Sequence, residues 1–140
     1  MRLVLDTNVV VAAMRSPAGA SAALLMAARQ DRITILANVA LALEYESTCL
    51  RAEHGVAAGL RPLQVDIFID AVIAMVEPVE THFLWRPQLR DPADELVLEA
   101  AVNGQASAIV TFNKQDFGTI PLRFGIEVIN PVEALLRIRR

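Results

Sequence analysis

The first ten residues, Met1 to Val10, read M-R-L-V-L-D-T-N-V-V and predict the centre of the fold. Leu3, Val4 and Leu5 form a short apolar run that stops at Asp6, which is typical of a buried β-strand. A strand this early and this apolar belongs in the middle of a parallel sheet. In that position Asp6 lies at the carboxyl end of the strand, where open α/β sheets place their ligands.

The composition favours one parallel sheet covered by helices. The chain has 140 residues, 54% of them hydrophobic, which fits a single domain over residues 1–140. Its net charge is −3, so the chain lacks the strongly basic character of many nucleic-acid-binding domains.

The cysteine content indicates the compartment. A single cysteine, Cys49, excludes an internal disulfide and fits a reducing cytoplasm. With no apolar stretch of the roughly 18 residues that a membrane span needs and no visible signal peptide, we expect a cytoplasmic protein without a membrane segment.

Strands and helices alternate along the chain, which predicts a parallel sheet with right-handed crossovers. Asn38 is placed to cap the helix that follows it. The third strand contains Pro78 and is therefore expected at an edge of the sheet. The segment from Thr81 to Pro92 is predicted as loop, and residues 113–117 as a polar turn. The predicted strands are 3–5, 33–37, 76–80, 108–111 and 127–129, and the predicted helices are 9–14, 22–29, 39–50, 62–75, 95–103 and 132–139.

Four acidic residues fall at or near one edge of this predicted sheet. Asp6 follows the first strand, and Glu44 lies one turn into the helix after the second. Asp94 begins the helix before the fourth strand, and Asp116 lies in the turn after that strand. Carboxylates that converge raise one another's pKa unless a cation is present. Oxygen ligands with few histidines suit Mg²⁺ or Mn²⁺, which activate water for attack on phosphodiesters.

Each of these acids also has a simpler structural explanation. Asp94 could cap a helix, Asp116 could shape a turn, and a surface carboxylate is the default for Glu44. Glu44 is preferred over Glu46 because the apolar stripe of the helix lies beside it. Three nearby acids are expected to be solvated charges at a helix start or on the surface: Asp91, Glu95 and Glu99.

Five segments together resemble the PIN domain family, and most closely its VapC-like bacterial toxins. The segments are D-T-N-V from Asp6, R-S-P-A-G-A-S from Arg15, L-A-L-E-Y-E around Glu44, D-P-A-D-E-L-V-L-E-A-A from Asp91 and I-V-T-F-N-K-Q-D-F from Ile109. The resemblance implies a three-layer α/β/α fold with a central, mostly parallel five-stranded sheet. It also implies Mg²⁺- or Mn²⁺-dependent endoribonuclease activity on RNA, homodimers, and inhibition by a cognate antitoxin.

By position, the acidic quartet of the family corresponds to Asp6, Glu44, Asp94 and Asp116. The resemblance assigns both metal binding and catalysis to these four residues, the same four that the strand ends indicate.

Other polar residues match supporting positions of the family. Thr7 and Asn8 correspond to residues that support the first aspartate. Asn113 stands where many relatives carry an aspartate, so its amide can still bind metal or hold water, but the site has a lower charge. Three cations flank the proposed site and are candidate contacts for RNA phosphates, with ordinary exposed charges as the alternative: Arg15, Arg90 and Lys114.

Two other functions remain open from the residues alone. A non-catalytic PIN-like module that binds RNA or a partner protein would be favoured by the missing charge at Asn113. An aspartyl phosphatase on a similar sheet would use Asp6 as its nucleophile. Such enzymes usually carry a second acid two residues later, where this chain has Asn8.

Overall fold

The computed structural model describes residues 1–82 and 87–139 of the chain. Within these residues the chain forms five β-strands and seven α-helices. The strands are β1 (Arg2–Leu5), β2 (Thr34–Ala37), β3 (Val76–Pro78), β4 (Ala108–Val110) and β5 (Glu127–Ile129). The helices are α1 (Thr7–Arg15), α2 (Ala20–Arg29), α3 (Val39–Cys49), α4 (Ala52–Ala58), α5 (Pro62–Met75), α6 (Pro92–Asn103) and α7 (Pro131–Ile138). Part of the predicted loop at 81–92, residues 83–86, lies outside the described residues.

The sheet confirms the predicted fold class. Its strand order is β3-β2-β1-β4-β5, and every strand pair is parallel. The first strand is central, and its residues Leu3, Val4 and Leu5 are fully buried. The strand that contains Pro78 lies at the edge, as expected of a residue that cannot donate a ladder hydrogen bond. Helices cover the sheet in a three-layer α/β/α arrangement.

Capping and close packing fix the helices that surround the sheet edge. The side chain of Asn38 accepts a 2.8 Å hydrogen bond from the backbone N–H of Leu41, which confirms the predicted cap of α3. The helix α6 ends at Gly104, where a Cβ atom would lie 2.9 Å from both the carbonyl oxygen of Ala100 and Cγ2 of Val79. A larger residue at Gly104 would therefore push α6 away from the end of β3.

The structure differs from the predicted elements most at α4 and α6, while α1 and α2 each begin two residues earlier than predicted and β3 ends at Pro78 instead of residue 80. The prediction missed α4, whose only buried residue is Gly55, because a helix so exposed has no apolar stripe to reveal it. The helix α6 begins three residues earlier than predicted, since the Asp91 side chain caps it and Pro92 occupies its first position. The predicted polar turn at 113–117 contains a single 3₁₀ turn, Lys114–Asp116.

No single helix among the described residues is long and apolar enough to cross a membrane. Helices α1 and α2 are long and apolar enough only when they are counted as one segment, and the chain bends by 98° between them.

Candidate functional site

Asp6 lies directly after the central strand, and its carboxylate is held on both oxygens. Oδ1 accepts a 2.8 Å hydrogen bond from the backbone N–H of Thr7, and Oδ2 accepts one of 2.7 Å from the Thr111 hydroxyl. The side chain is only 8% exposed. Burial raises its pKa above the ordinary value, these two hydrogen bonds oppose the rise, and the carboxylates of Asp116 and Asp91 add to it.

Thr111 connects the first and fourth strands at this edge, and the sequence prediction did not single it out. Besides donating to Asp6, its fully buried hydroxyl oxygen accepts the backbone N–H of Asn113 at 3.0 Å. The side-chain amide of Asn8 lies 3.5 Å from the same oxygen. A polar residue directly after the apolar run of β4 is the sequence signal that marks it. Thr111 thus links Asp6 to two of the three predicted supporting residues, Asn8 and Asn113.

Asp94 occupies the first turn of α6 and faces the same edge of the sheet. The residue is 8% exposed, and its pKa is raised to about 6. Burial is the largest cause of this rise, and the charges of Asp6, Asp91 and Asp116 contribute to it. Asp94 is not the cap of the helix, because Asp91 performs that role by accepting the N–H of Ala93 at 2.9 Å. The residue is therefore part of an acid cluster.

Asp116 completes this cluster from the 3₁₀ turn after β4. It is exposed, and it borders a cavity of about 480 Å³ together with Asp94, Asp91 and Arg90. None of the hydrogen bonds or ion pairs formed by the described residues involves the carboxylate of Asp94 or Asp116. Both groups are therefore open to a cation, and their oxygen donors suit Mg²⁺ or Mn²⁺.

Glu44 borders a different cavity from Asp94 and Asp116. It is half-buried on α3 and accepts a 3.3 Å hydrogen bond from the Thr48 hydroxyl. It borders a second cavity, of about 570 Å³, with Thr7 and Asn8. Among the described residues, no group of three or more His, Cys, Asp or Glu side chains is close enough to hold a metal ion. An ion at this edge would therefore have to draw the carboxylates closer together.

Two of the acids expected to be ordinary solvated charges behave differently. Glu95 is buried, so the prediction of a solvated charge is wrong, and its carboxylate accepts the backbone N–H groups of Gln88 and Leu89. The sequence gives no hint of these contacts, because the donors are backbone groups that precede the helix. Asp91 caps the helix start as expected, but its charge also acts on Asp6 and Asp94.

The three candidate RNA-binding cations have different surroundings. Lys114 forms an ion pair with Glu133 at the start of α7, so its charge is already partly engaged. Arg15 borders the cavity of Glu44, and Arg90 borders the cavity of Asp94. Both arginines are exposed, and neither forms an ion pair with another described residue. The two arginines remain available to an anionic ligand.

The chain belongs to the PIN domain family, whose family model matches residues 2–115. Among solved structures, it is similar to a chain in the crystal structure of VapBC2 from Rickettsia felis bound to a DNA fragment from the VapBC2 promoter. The TM-score is 0.61 and the identity 18%, and the match covers 93% of this chain and 98% of the other. At that identity the likeness shows a shared fold. A search of curated proteins finds no significant match.

Proposed function

We propose that this PIN domain is a Mg²⁺- or Mn²⁺-dependent endoribonuclease that hydrolyses RNA phosphodiesters. The observation that carries the proposal is the cluster of Asp6, Asp94 and Asp116 at the carboxyl ends of β1 and β4. Burial and mutual repulsion raise the pKa of Asp6 and Asp94, which is unfavourable unless the charges serve a ligand. A divalent cation is the ligand that such a cluster fits best.

The roles of the residues follow from their contacts. Asp6, Asp94 and Asp116 would hold the ion, and Glu44 would complete the catalytic set from the neighbouring cavity. A bound divalent cation supplies an activated water and stabilises charge that develops on the phosphate. Thr7 orients Asp6 by donating its backbone N–H to the carboxylate, and the side chain of Asn8 and the backbone N–H of Asn113 both donate to Thr111.

We also propose that the protein is cytoplasmic, acts as the toxin of a toxin–antitoxin pair and forms a single domain over residues 1–140. The fold similarity to a chain of the VapBC2 structure supports a protein antitoxin as partner. A homodimer is supported by exposed apolar side chains on α3 and α5, two helices that pack against each other. Apolar patches of this kind are typical of protein interfaces. The side chains are Val39, Leu43, Leu63 and Ile67.

Cleavage of a panel of single-stranded and structured RNAs tests the nuclease proposal. The assay compares the wild type with Asp6→Asn in Mn²⁺, in Mg²⁺ and in chelator. Asp66→Asn is the matched control, because Asp66 is an exposed acid on α5. We expect cleavage that needs both metal and Asp6 and that Asp66→Asn retains. Metal-independent cleavage, or equal cleavage by Asp6→Asn, would contradict the proposal. RNA binding without any cleavage would favour the non-catalytic module.

A further inference from the structure

The cavity that Glu44 borders opens immediately beside the acid cluster. Thr7 and Asn8 line it and directly follow Asp6, and Phe112 lines it and directly follows Thr111. Asp6 and Thr111 are joined by a hydrogen bond, so the cavity is lined by the residues that directly follow both partners of that bond. Its volume of about 570 Å³ falls within the roughly 300–1,000 Å³ of ordinary ligand sites. We refer to it below as the Phe112 cavity.

The wall of the Phe112 cavity combines an aromatic ring with cations. Phe112 is 52% exposed, although it directly follows a strand whose residues are all buried. Arg15 and Arg51 are exposed at the same cavity, and neither forms an ion pair with another residue in the described ranges. A ring for stacking beside cations that neutralise phosphate is the arrangement by which proteins bind single-stranded nucleic acid.

Polar atoms in the same wall are left without partners. Asn8 Oδ1 and His54 Nδ1 are both buried, and neither has a hydrogen-bond partner among the described residues. Buried polar atoms are rarely left unpaired, so groups of this kind often mark a ligand site. The edge of a nucleobase carries both donors and acceptors, the kinds of group that these two atoms lack as partners.

We infer that the Phe112 cavity takes one unpaired nucleotide of the RNA next to the scissile phosphate. The base stacks on Phe112, and the flanking phosphates contact Arg15 and Arg51. In duplex RNA the bases are stacked inside the helix and cannot reach such a ring, so the cavity selects single-stranded loops or ends. The position relative to the scissile bond rests on the proposed nuclease function, whereas the binding itself does not.

Fluorescence anisotropy with a labelled single-stranded oligoribonucleotide and a hairpin stem of the same composition tests this inference. Chelator is present, so that binding is measured without cleavage. We expect the wild type to prefer the single strand, and Phe112→Ala to weaken that binding about 5- to 150-fold, the usual loss for one stacking residue. Phe112→Trp should retain the affinity. Arg51→Gln should weaken binding and reduce its salt dependence.

The matched control is Phe124→Ala, because Phe124 is 47% exposed and does not line the Phe112 cavity. It should bind the single strand as the wild type does. Thermal melting of each variant confirms that the fold is intact. Unchanged single-strand affinity in a folded Phe112→Ala protein would overturn the inference, and so would equal affinity of the wild type for the hairpin stem.

The outcome is separable from that of the nuclease proposal. If Phe112→Ala weakens single-strand binding but the wild type never cleaves with metal, the nucleotide site stands and the nuclease proposal fails. If the wild type cleaves in a metal-dependent way and Phe112→Ala binds and cleaves equally well, the nuclease proposal stands and the nucleotide site is overturned.

Discussion

The hydroxyl of Thr111 donates a 2.7 Å hydrogen bond to Oδ2 of Asp6, a residue 105 positions earlier in the chain. Thr111 follows β4 and Asp6 follows β1, so this bond joins the carboxyl ends of two neighbouring strands. It also favours the ionised form of Asp6 against the effect of burial. The orientation and charge of the predicted first metal ligand therefore depend on a residue outside the acidic quartet.

Thr111→Val should weaken the metal site while leaving the fold intact. Valine has nearly the shape of threonine but no hydroxyl, so Asp6 loses a donor and its pKa rises further. Loss of a group that orients a metal ligand usually lowers metal affinity or activity by about 10- to 100-fold. Calorimetric titration with Mn²⁺ and initial cleavage rates provide the measurement. Thr111→Ser should retain both properties, and wild-type affinity in Thr111→Val would show that Thr7 alone orients Asp6.

The metal-free protein should lose stability through Asp94 as the pH rises from about 4 to about 6. The pKa of Asp94 is about 6 in the folded chain and near its ordinary value of 3.8 in the unfolded one. Between these values the folded state holds more protons, so this contribution to the free energy of unfolding falls with rising pH. Urea unfolding in chelator at several pH values measures it. Asp94→Asn should reduce the trend, since Asp6 still contributes to it, and should be more stable than the wild type at pH 7. A variant that is less stable there would contradict the prediction.

Mg²⁺ or Mn²⁺ at millimolar concentration should raise the melting temperature of the wild type. An ion that binds the folded state alone stabilises it by about 2.7 kcal/mol when its concentration is 100 times Kd. The Asp6→Asn and Asp94→Asn variants should show a much smaller shift. Scanning calorimetry with and without metal makes the comparison, with Asp66→Asn as a control that keeps the full shift. No shift in the wild type would argue against a competent metal site.

The pKa of Asp94 should report which carboxylates converge before metal binds. Asp116→Asn removes one of the charges that raise this pKa, so the pKa should fall. Glu44→Gln should leave it unchanged, because Glu44 is not among the groups that act on Asp94. Carboxyl carbon NMR titration of both variants in chelator gives the values. A similar fall in Glu44→Gln would place Glu44 closer to the cluster than the structure does.

Glu95→Ala should destabilise the protein through the segment before α6. The buried carboxylate accepts the N–H groups of Gln88 and Leu89, and hydrogen bonds to a charged group are each worth about 1.5–3 kcal/mol. We expect the free energy of unfolding in urea to fall by at least the lower figure. Glu99→Ala, one turn further along the same helix, is the control and should cost less. Equal losses of stability in Glu95→Ala and Glu99→Ala would mean that the hydrogen bonds from Gln88 and Leu89 contribute little.

The elements that were predicted correctly have local signals in the sequence. Asp6 ends an apolar run, Asn38 stands directly before a helix, and Pro78 marks an edge strand, so each can be read within a few residues. The burial of Glu95 depends instead on backbone donors of a preceding loop. The role of Thr111 depends on a partner in another strand. Local patterns carry no information on either contact.

The position of Glu44 shows the same limit for the site. Its helix was predicted, and Glu44 was preferred over Glu46 as the site residue because the apolar stripe of α3 lies beside it. Although it lies near the same edge of the sheet, Glu44 on α3 borders the Phe112 cavity, whereas Asp94 and Asp116 border another. Strand order places the residues of a site at one edge, but the helix on which a side chain sits decides which cavity it enters.

The sheet order also determines when the chain becomes competent during its synthesis. Because β4 pairs with β1, the partner of Asp6 does not exist until residue 111 of 140 has been added, and Asp116 follows five residues later. Until then β1 has no neighbouring strand on the β4 side, so the residues that bring the carboxylates to one edge of the sheet are incomplete. Asp6, Asp94 and Asp116 can therefore come to share one edge of the sheet only after residue 116 has been synthesised.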